Sequence, residues 1–421
     1  MQVNIVVSNL VMQGIEKAQA VIFNVGCKSN QYECDKLTSE LIKRGYEVFN
    51  HMIYADIYIV NTCAVTSTAE AKSRQVVARI RAINANAKIY IFGCASALNQ
   101  AFYSRARVHY STSIGYTELL RAIDEDINYM APASINPTPL SLRTRAYVKI
   151  QDGCDNFCSY CIIPSLRGIP TSKPIDVAAS EILEVSKTVA EVVIVGINLS
   201  LYGRDTHQKL SDLIKKITNI NSRIHLSSFY QNGINRELLD ALFSLKQFSP
   251  HFHLSLQHGD TRVLRAMNRG YTSDDYLKKV ELIREYDPNA SITTDIIVGY
   301  PTEDNDMFVQ SCKFVRLVEF ADIHIFPFSQ RTGTLAAQLP PIASNIIKER
   351  RDILKDIRDE LHTNYLKKLI AIPQCVIFEK FGEIAEGYSQ YYVRTYADTK
   401  QKICNIKPVE LYNNGLKGVL I

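Results

Sequence analysis

Cys154, Cys158 and Cys161 follow one another at a C-x-x-x-C-x-x-C spacing, with Tyr160 just before the last. Three thiolates on one loop can each take one iron of a cubane [4Fe-4S] cluster and leave its fourth iron open. An open iron can chelate the amino and carboxylate groups of S-adenosylmethionine (SAM) and pass it one electron, which splits the sulfonium into methionine and a 5′-deoxyadenosyl radical. The alternative is a zinc knuckle. Zinc sites close with four ligands, usually C-x-x-C pairs or a nearby histidine, and no histidine lies between His109 and His207.

A second set of thiols is scattered: Cys27 in VGCKSN, Cys63 in NTCAVT and Cys94 in FGCASA. Each follows a short apolar run. The pattern predicts a strand at VIFNV from Val21, a helix over about Asn30 to Arg44, a strand from Ile57 to Val60, a helix from Thr66 to Ile83 and a strand from Lys88 to Phe92. Strands alternating with helices make an open parallel sheet, whose ligands sit beyond the strands' carboxyl ends. The three cysteines would gather there. Taken singly, each could be a small buried apolar residue; three in equivalent places form a second three-thiolate set.

The run from Ala131 to Ser141, rich in proline, serine and asparagine, reads as a linker. Six strands then alternate with helices: Tyr147 to Ile150, Val192 to Gly196, Arg223 to Ser228, His251 to Leu256, Ile292 to Gly299 and Asp322 to Phe328. They fit a (β/α)6 partial barrel, with its working residues at strand C-terminal ends. Asn198, Ser228, Gln257 and Gly299 stand at such ends, where they could equally turn the chain. After a charged helix from about Ser344 to Leu369, short alternating strands (Cys375 to Glu379, Tyr391 to Thr395, Gln401 to Ile406, Val409 to Leu411, and a last one near Gly418 to Ile421) suggest a small β-barrel. Its aromatics Phe378, Phe381, Tyr388, Tyr391, Tyr392 and Tyr396 interleave with basic residues, as on platforms for single-stranded nucleic acid. The fold class is therefore α/β with a terminal β-barrel, in domains of 20–130, 142–363 and 364–421.

The chain of 421 residues exceeds one ordinary core. Its ten cysteines, with no basic n-region or long apolar run between Met1 and Ala20, point to reduced thiols in a cytoplasmic protein that crosses no membrane. The net charge of +5 decides little, but its distribution is uneven. Between Ala64 and Ser111 the basic residues Lys72, Arg74, Arg79, Arg81, Lys88, Arg105 and Arg107 face Glu70 alone. A solvated face usually mixes signs, so Lys72, Arg74, Arg79 and Arg81 are candidates for RNA phosphates.

The cysteine loop with its Tyr160 resembles the signature of the radical-SAM superfamily. With both cysteine sets, the chain resembles the methylthiotransferases, radical-SAM enzymes with an N-terminal cluster domain and a C-terminal TRAM RNA-binding barrel. GCKSNQYE (Gly26 to Glu33), NTCAVT (Asn61 to Thr66), KSRQ (Lys72 to Gln75) and FPFSQRTGT (Phe326 to Thr334) are most similar to the MtaB branch. The resemblance implies that Cys154, Cys158 and Cys161 hold the SAM cluster, and that Cys27, Cys63 and Cys94 hold an auxiliary [4Fe-4S] cluster. Tyr160 beside the cluster, and Asn198, Ser228, Gln257 and Gly299 by their strand-end positions, are the candidate cofactor-binding residues.

The activity implied is methylthiolation of carbon 2 of N6-threonylcarbamoyladenosine, the purine just 3′ of a tRNA anticodon. Isopentenyl-adenosine in tRNA or a ribosomal-protein aspartate are the alternatives within the family, and an iron-sulfur RNA-binding protein the alternative outside it. The implied partners are the tRNA anticodon loop, a flavodoxin- or ferredoxin-like electron donor and a sulfur donor. Arg331 is the candidate guanidinium for the substrate's carboxylate. Two departures stand out. Pro301-Thr302-Glu303-Asp304 replaces the usual Pro-Gly-Glu-Thr, and Phe229-Tyr230-Gln231 replaces a run with a glutamate at the barrel mouth.

Overall fold

The computed structural model describes residues 18–112, 115–126 and 144–421. The expected linker from Ala131 to Ser141 lies outside them. The chain gathers into two compact units. One holds the segment ending at Val25, Glu33–Cys63 and the stretch from Ala71; the other holds Gly26–Tyr32, Ala64–Glu70 and the chain from 144 onward.

The first unit carries a parallel sheet of β1 (Gln19–Asn24), β2 (Glu47–Phe49), β3 (Ile57–Thr62), β4 (Lys88–Gly93) and β5 (Tyr110–Thr112), in the order β2-β1-β3-β4-β5. It also holds most of α1 (Lys28–Lys43) and α2 (Ser67–Ile83), and all of α3 (Gln100–Arg105) and α4 (Tyr116–Asp126). Every residue of β3 is buried, as befits a parallel strand covered on both faces. Cys34, Leu37 and Leu41 of α1 recur at helical spacing and pack with Ile22, Ile59 and Phe92. Ser73, Val77 and Ile80 do the same on α2. The edge strands β2 and β5 escape the sequence pattern because three residues show no periodicity.

In the second unit, six parallel strands form the partial barrel: β6 (Arg145–Asp152), then, after the two-residue antiparallel β7 (Thr171–Ser172), β8 (Glu191–Gly196), β9 (Arg223–Leu226), β10 (His251–His253), β11 (Ser291–Val298) and β12 (Asp322–Pro327). The ladders run β7-β6-β8-β9 and β10-β11-β12, and parallel bridges Phe229↔Leu254 and Gln257↔Ile296 carry the chain across and along the join. The helices are α5 (Ile163–Arg167), α6 (Ile175–Ser186), α7 (Leu210–Lys216), α8 (Arg236–Phe243), α9 (Thr261–Ala266), α10 (Ser273–Tyr286), α11 (Asn305–Val318) and α12 (Ser344–Lys368). Ile292, Ile296 and Val298 of β11 pack outward with Tyr276, Val280, Ile283, Val315 and Val318 of α10 and α11. The alternation of a strand sends Thr293 and Asp295 to the other face.

The terminal strands β13 (Gln374–Lys380), β14 (Ala385–Ser389), β15 (Arg394–Ala397), β16 (Ile403–Tyr412) and β17 (Gly415–Leu420) close into a barrel in the order β13-β14-β15-β17-β16. Three details differ from the sequence expectation. The strand β14 is additional, the strand placed at Tyr391 to Thr395 begins at Arg394, and the two segments from Gln401 to Leu411 are one strand whose ladder shifts between Pro408 and Glu410. A bulge accommodates the proline that seemed to divide them.

Candidate active site

Gly153 opens the cysteine loop at φ +70°, and a Cβ there would stand 2.1 Å from the carbonyl oxygen of Ile169, so only glycine fits. The loop is then pinned from several sides. Cys154 N–H donates to Gly168 O (3.0 Å), Ser159 N–H to Met267 O (3.1 Å), and Ala336 N–H to Ser159 O (2.8 Å). The Ser159 hydroxyl meets Ala266 O (2.9 Å) and the Tyr300 hydroxyl (2.7 Å). Cys158 is buried, while Cys154 and Cys161 are half-buried.

The environment of Cys158 contains two residues that motif reasoning did not assign. Arg269 Nη1 lies 3.5 Å from Cys158 Sγ, and the Tyr230 hydroxyl lies at the same distance. The guanidinium stacks 3.8 Å from the centre of the Tyr230 ring and donates to the Tyr271 hydroxyl (2.9 Å) and to Ser255 O. Tyr160, expected at the cofactor, places its hydroxyl 3.4 Å from Arg269 Nη1. The tyrosine that replaces a glutamate at the barrel mouth thus turns inward to the cysteine loop. The signal for Arg269 was available in the run Asn268-Arg269-Gly270-Tyr271, where a basic residue sits among aromatic and turn residues.

The remaining candidates occupy strand ends as expected. Asn198 caps the turn after β8 by accepting from Ser200 N–H (3.2 Å), while its buried Nδ2 has no hydrogen-bond partner among the described residues. Ser228 is half-buried, and its carbonyl accepts from Leu199 N–H. Gln257 adopts φ +76° and pairs with both Asp295 O and Ile297 N–H at 2.8 Å. Gly299, at φ +78°, donates to Glu303 Oε2 (2.6 Å) and has Ile347 of α12 where a Cβ would be. Glu303 also accepts from Tyr300 N–H and pairs with Arg350 (3.2 Å). Thr302 stays outside the left-handed region, so the missing glycine costs this turn nothing.

The donor set fits an iron-sulfur cluster. Burial pushes the Cys161 thiol up to about 12, and the neighbouring Cys158 and Cys154 sulfurs push it the same way. Burial also raises Cys154, which the Asn198 side chain is near enough to lower. A positively charged cluster would relieve that penalty by holding all three as thiolates.

In the sheet, the register Thr62↔Gly93 brings the next residues, Cys63 and Cys94, to adjacent strand ends. Both are buried, and Cys63 N–H faces Ser73 Oγ at 3.3 Å. Gly93, at φ +98°, has Asn61 Oδ1 2.4 Å from its would-be Cβ, so the two strand ends press together. Cys27 is exposed, three residues beyond the end of β1, the strand paired with β3, and its thiol lies 3.3 Å from Asn30 Oδ1. None of the ten cysteines is in a disulfide.

The polar candidates for RNA divide. Lys72 and Arg79 are exposed and seven residues apart on α2, hence on one helical face. Arg74 is half-buried and donates to Asn99 Oδ1 (3.1 Å). Arg81 is corrected: its guanidinium binds the carbonyls of Ala85, Ala87, Ala106 and Arg107 and ties a helix end to a loop. Arg331 is corrected too. It is buried, donates through Nε and Nη2 to Ala64 O and pairs through Nη1 with Glu70 at 2.9 Å, so its fork serves the fold. In the small barrel, Phe378, Tyr391 and Tyr396 are buried, Tyr388 and Tyr392 stack on one another, and of the six aromatics Phe381 alone is exposed. The expected stacking platform is mostly core.

Residues 148–315 match the radical SAM superfamily, and residues 19–113 match uncharacterized protein family UPF0004. The threonylcarbamoyladenosine tRNA methylthiotransferase MtaB of Thermotoga maritima is 36% identical over 388 residues, 88% of this chain and 89% of the relative. The tRNA-2-methylthio-N(6)-dimethylallyladenosine synthase of Thermodesulfovibrio yellowstonii is 30% identical, over 96% and 99%. Among solved structures, the radical SAM methyltransferase TsrM of Kitasatospora setae shares the fold, with a TM-score of 0.57 at 12% identity over 76% of this chain and 74% of that one. No helix among the described residues is long and apolar enough to cross a membrane. By its two matched regions and its whole-length relatives, the chain belongs to the radical-SAM tRNA methylthiotransferases, enzymes that use S-adenosylmethionine and two [4Fe-4S] clusters.

Proposed function

We propose that the protein methylthiolates carbon 2 of N6-threonylcarbamoyladenosine beside the tRNA anticodon. The observation that carries this substrate is the 36% identity over most of the chain to a threonylcarbamoyladenosine enzyme. Carbon 2 carries no proton that a side chain could remove at neutral pH, so the reaction needs radical chemistry. SAM and the two clusters, when bound, would supply one-electron cleavage, a sulfur atom and a methyl group. Cys154, Cys158 and Cys161 would hold the SAM cluster and Cys27, Cys63 and Cys94 the other.

The chain's own residues then have separable tasks. Arg269 and the Tyr230 hydroxyl hold the Cys158 sulfur in place and keep the loop's inner side polar without a carboxylate. Ser159 and Tyr300 fix the loop's backbone, which sets where the open iron faces. The buried Nδ2 of Asn198, near Cys154, offers a donor to the cofactor's polar groups, with Tyr160 on the cysteine loop and Ser228, Gln257 and Gly299 at neighbouring strand ends. Lys72 and Arg79 would meet tRNA phosphates. An electron donor of the flavodoxin or ferredoxin kind and a sulfur donor complete the scheme.

Nucleoside mass spectrometry of total tRNA from a deletion strain tests the assignment. Loss of 2-methylthio-threonylcarbamoyladenosine, restored by the gene, is the expected result. Loss of the 2-methylthio-isopentenyl nucleoside instead would transfer the assignment to the dimethylallyladenosine reaction, and unchanged tRNA in a strain without a second enzyme would reject both.

A further inference from the structure

Three adjacent strands of the partial barrel place an imidazole, a carboxylate and an imidazole on one face. His253 ends β10, Asp295 lies in β11 and His324 in β12. The register sets Asp295 directly opposite His324, and His253 opposite Thr293 two residues away. One ligand atom from each of the three lies within 4.8 Å of the others, and this is the only such group among the described residues. His253 Nε2 stands 3.2 Å from Asp295 Oδ2, and His324 Nδ1 stands 3.3 Å from Asp295 Oδ1. Four ligands at about 2.0–2.1 Å from a tetrahedral ion lie about 3.3 Å from one another. The spacing therefore suits a shared ion.

The surroundings supply what a metal site also needs. The far nitrogen of His253, Nδ1, is 3.0 Å from Thr293 Oγ1, which orients the ring with Nε2 toward the carboxylate. Thr293 Oγ1 is held in turn by His251 Nε2 at 2.8 Å, and His251 by His225. The His253 and Asp295 side chains are 11% and 24% exposed, whereas His324 is 56% exposed. Two ligands are thus set in the wall and the third closes from an open side, leaving positions for water or an anionic oxygen. None of the three belongs to either cysteine set, and none has a task in the methylthiolation scheme above.

We propose that His253, Asp295 and His324 form a mononuclear site for a divalent transition metal of the zinc or iron(II) class, with open coordination positions. Two imidazoles and one carboxylate on a rigid sheet are a donor set that such ions prefer over magnesium or calcium. The site is distinct from both clusters, and the inference does not depend on which nucleoside is the substrate.

Protein with both clusters reconstituted, dialysed against micromolar zinc under anaerobic conditions, should keep one zinc per chain in addition to unchanged cluster iron. Zinc-edge X-ray absorption should show nitrogen and oxygen ligands and no sulfur. Asp295→Ala should abolish the bound zinc, and His324→Gln, at a side chain 56% exposed, should weaken it by at least about tenfold. Neither variant should lose iron. Zinc absent from the wild-type protein, zinc with a sulfur shell, or zinc undiminished in both variants would each overturn the proposal; the first outcome would leave a hydrogen-bonded His–Asp–His relay in its place.

Discussion

The barrel's three cysteines share one loop, whereas the sheet's leave three strand ends far apart in sequence. In the loop, spacing alone puts the three thiols on one short segment, and tertiary contacts from Gly168, Ala266, Met267 and Tyr300 fix that segment in place. In the sheet, nothing local joins Cys63 to Cys94; the register Thr62↔Gly93 does it. Cys27 even falls in the other compact unit by contact. One set is a property of a segment, the other of a topology.

The largest effect should come from the ligands themselves. Replacing Cys154, Cys158 and Cys161 together by alanine should remove roughly half of the iron and all production of 5′-deoxyadenosine. Cys63→Ala or Cys94→Ala should keep SAM cleavage while losing methylthiolated product. Quantifying 5′-deoxyadenosine against product in each variant checks the division, and equal loss of both activities in every variant would erase it.

Next is the loop's geometry. Gly153→Ala places a Cβ against Ile169 O at a positive φ, a strain of about 1–3 kcal/mol if the loop holds. We expect iron to fall toward half and the midpoint of thermal unfolding to drop. A variant with full iron and unchanged stability would show that the loop relaxes.

A smaller effect belongs to Arg269. Arg269→Met removes a positive charge and a donor from Cys158 Sγ, so the cluster's potential should become more negative and SAM cleavage should slow about tenfold at a fixed reductant potential. Most of the iron should stay. Tyr230→Phe, which loses a neutral donor only, should shift the potential less. Redox titration followed by electron paramagnetic resonance orders the two.

The smallest effect separates phosphate contact from scaffolding on α2. Lys72→Glu with Arg79→Glu should lower the slope of log affinity against log salt by about two units in tRNA binding. Arg81→Glu should instead lower stability, because four carbonyls lose their donor. An unchanged slope in the first variant would mean that the exposed face is merely solvated.

Much of the fold was legible because its periodicities were long: all six barrel strands and the helices α1, α2 and α12 appear where apolar spacing put them. What was missed was short or conditional. The edge strands have three residues each, and β16 runs through Pro408 because a bulge absorbs it. Among site residues, the reading of Arg331 and Arg81 failed for one reason. A guanidinium in a sequence looks the same whether it meets a ligand or a backbone carbonyl, and only burial and partners distinguish the two.

By itself the sequence determined the cysteine loop, the alternation of strands and helices, and hence the chemistry, because these depend on residue type and local spacing. Tertiary structure alone decided which charges are free, that Arg269 and Tyr230 attend Cys158, and that His253, Asp295 and His324 meet. Those pairings cross more than seventy residues in the case of Tyr230 and Cys158 and depend on strand register. A one-residue slip of β11 would turn Asp295 to the opposite face, toward the helices, and separate it from both histidines.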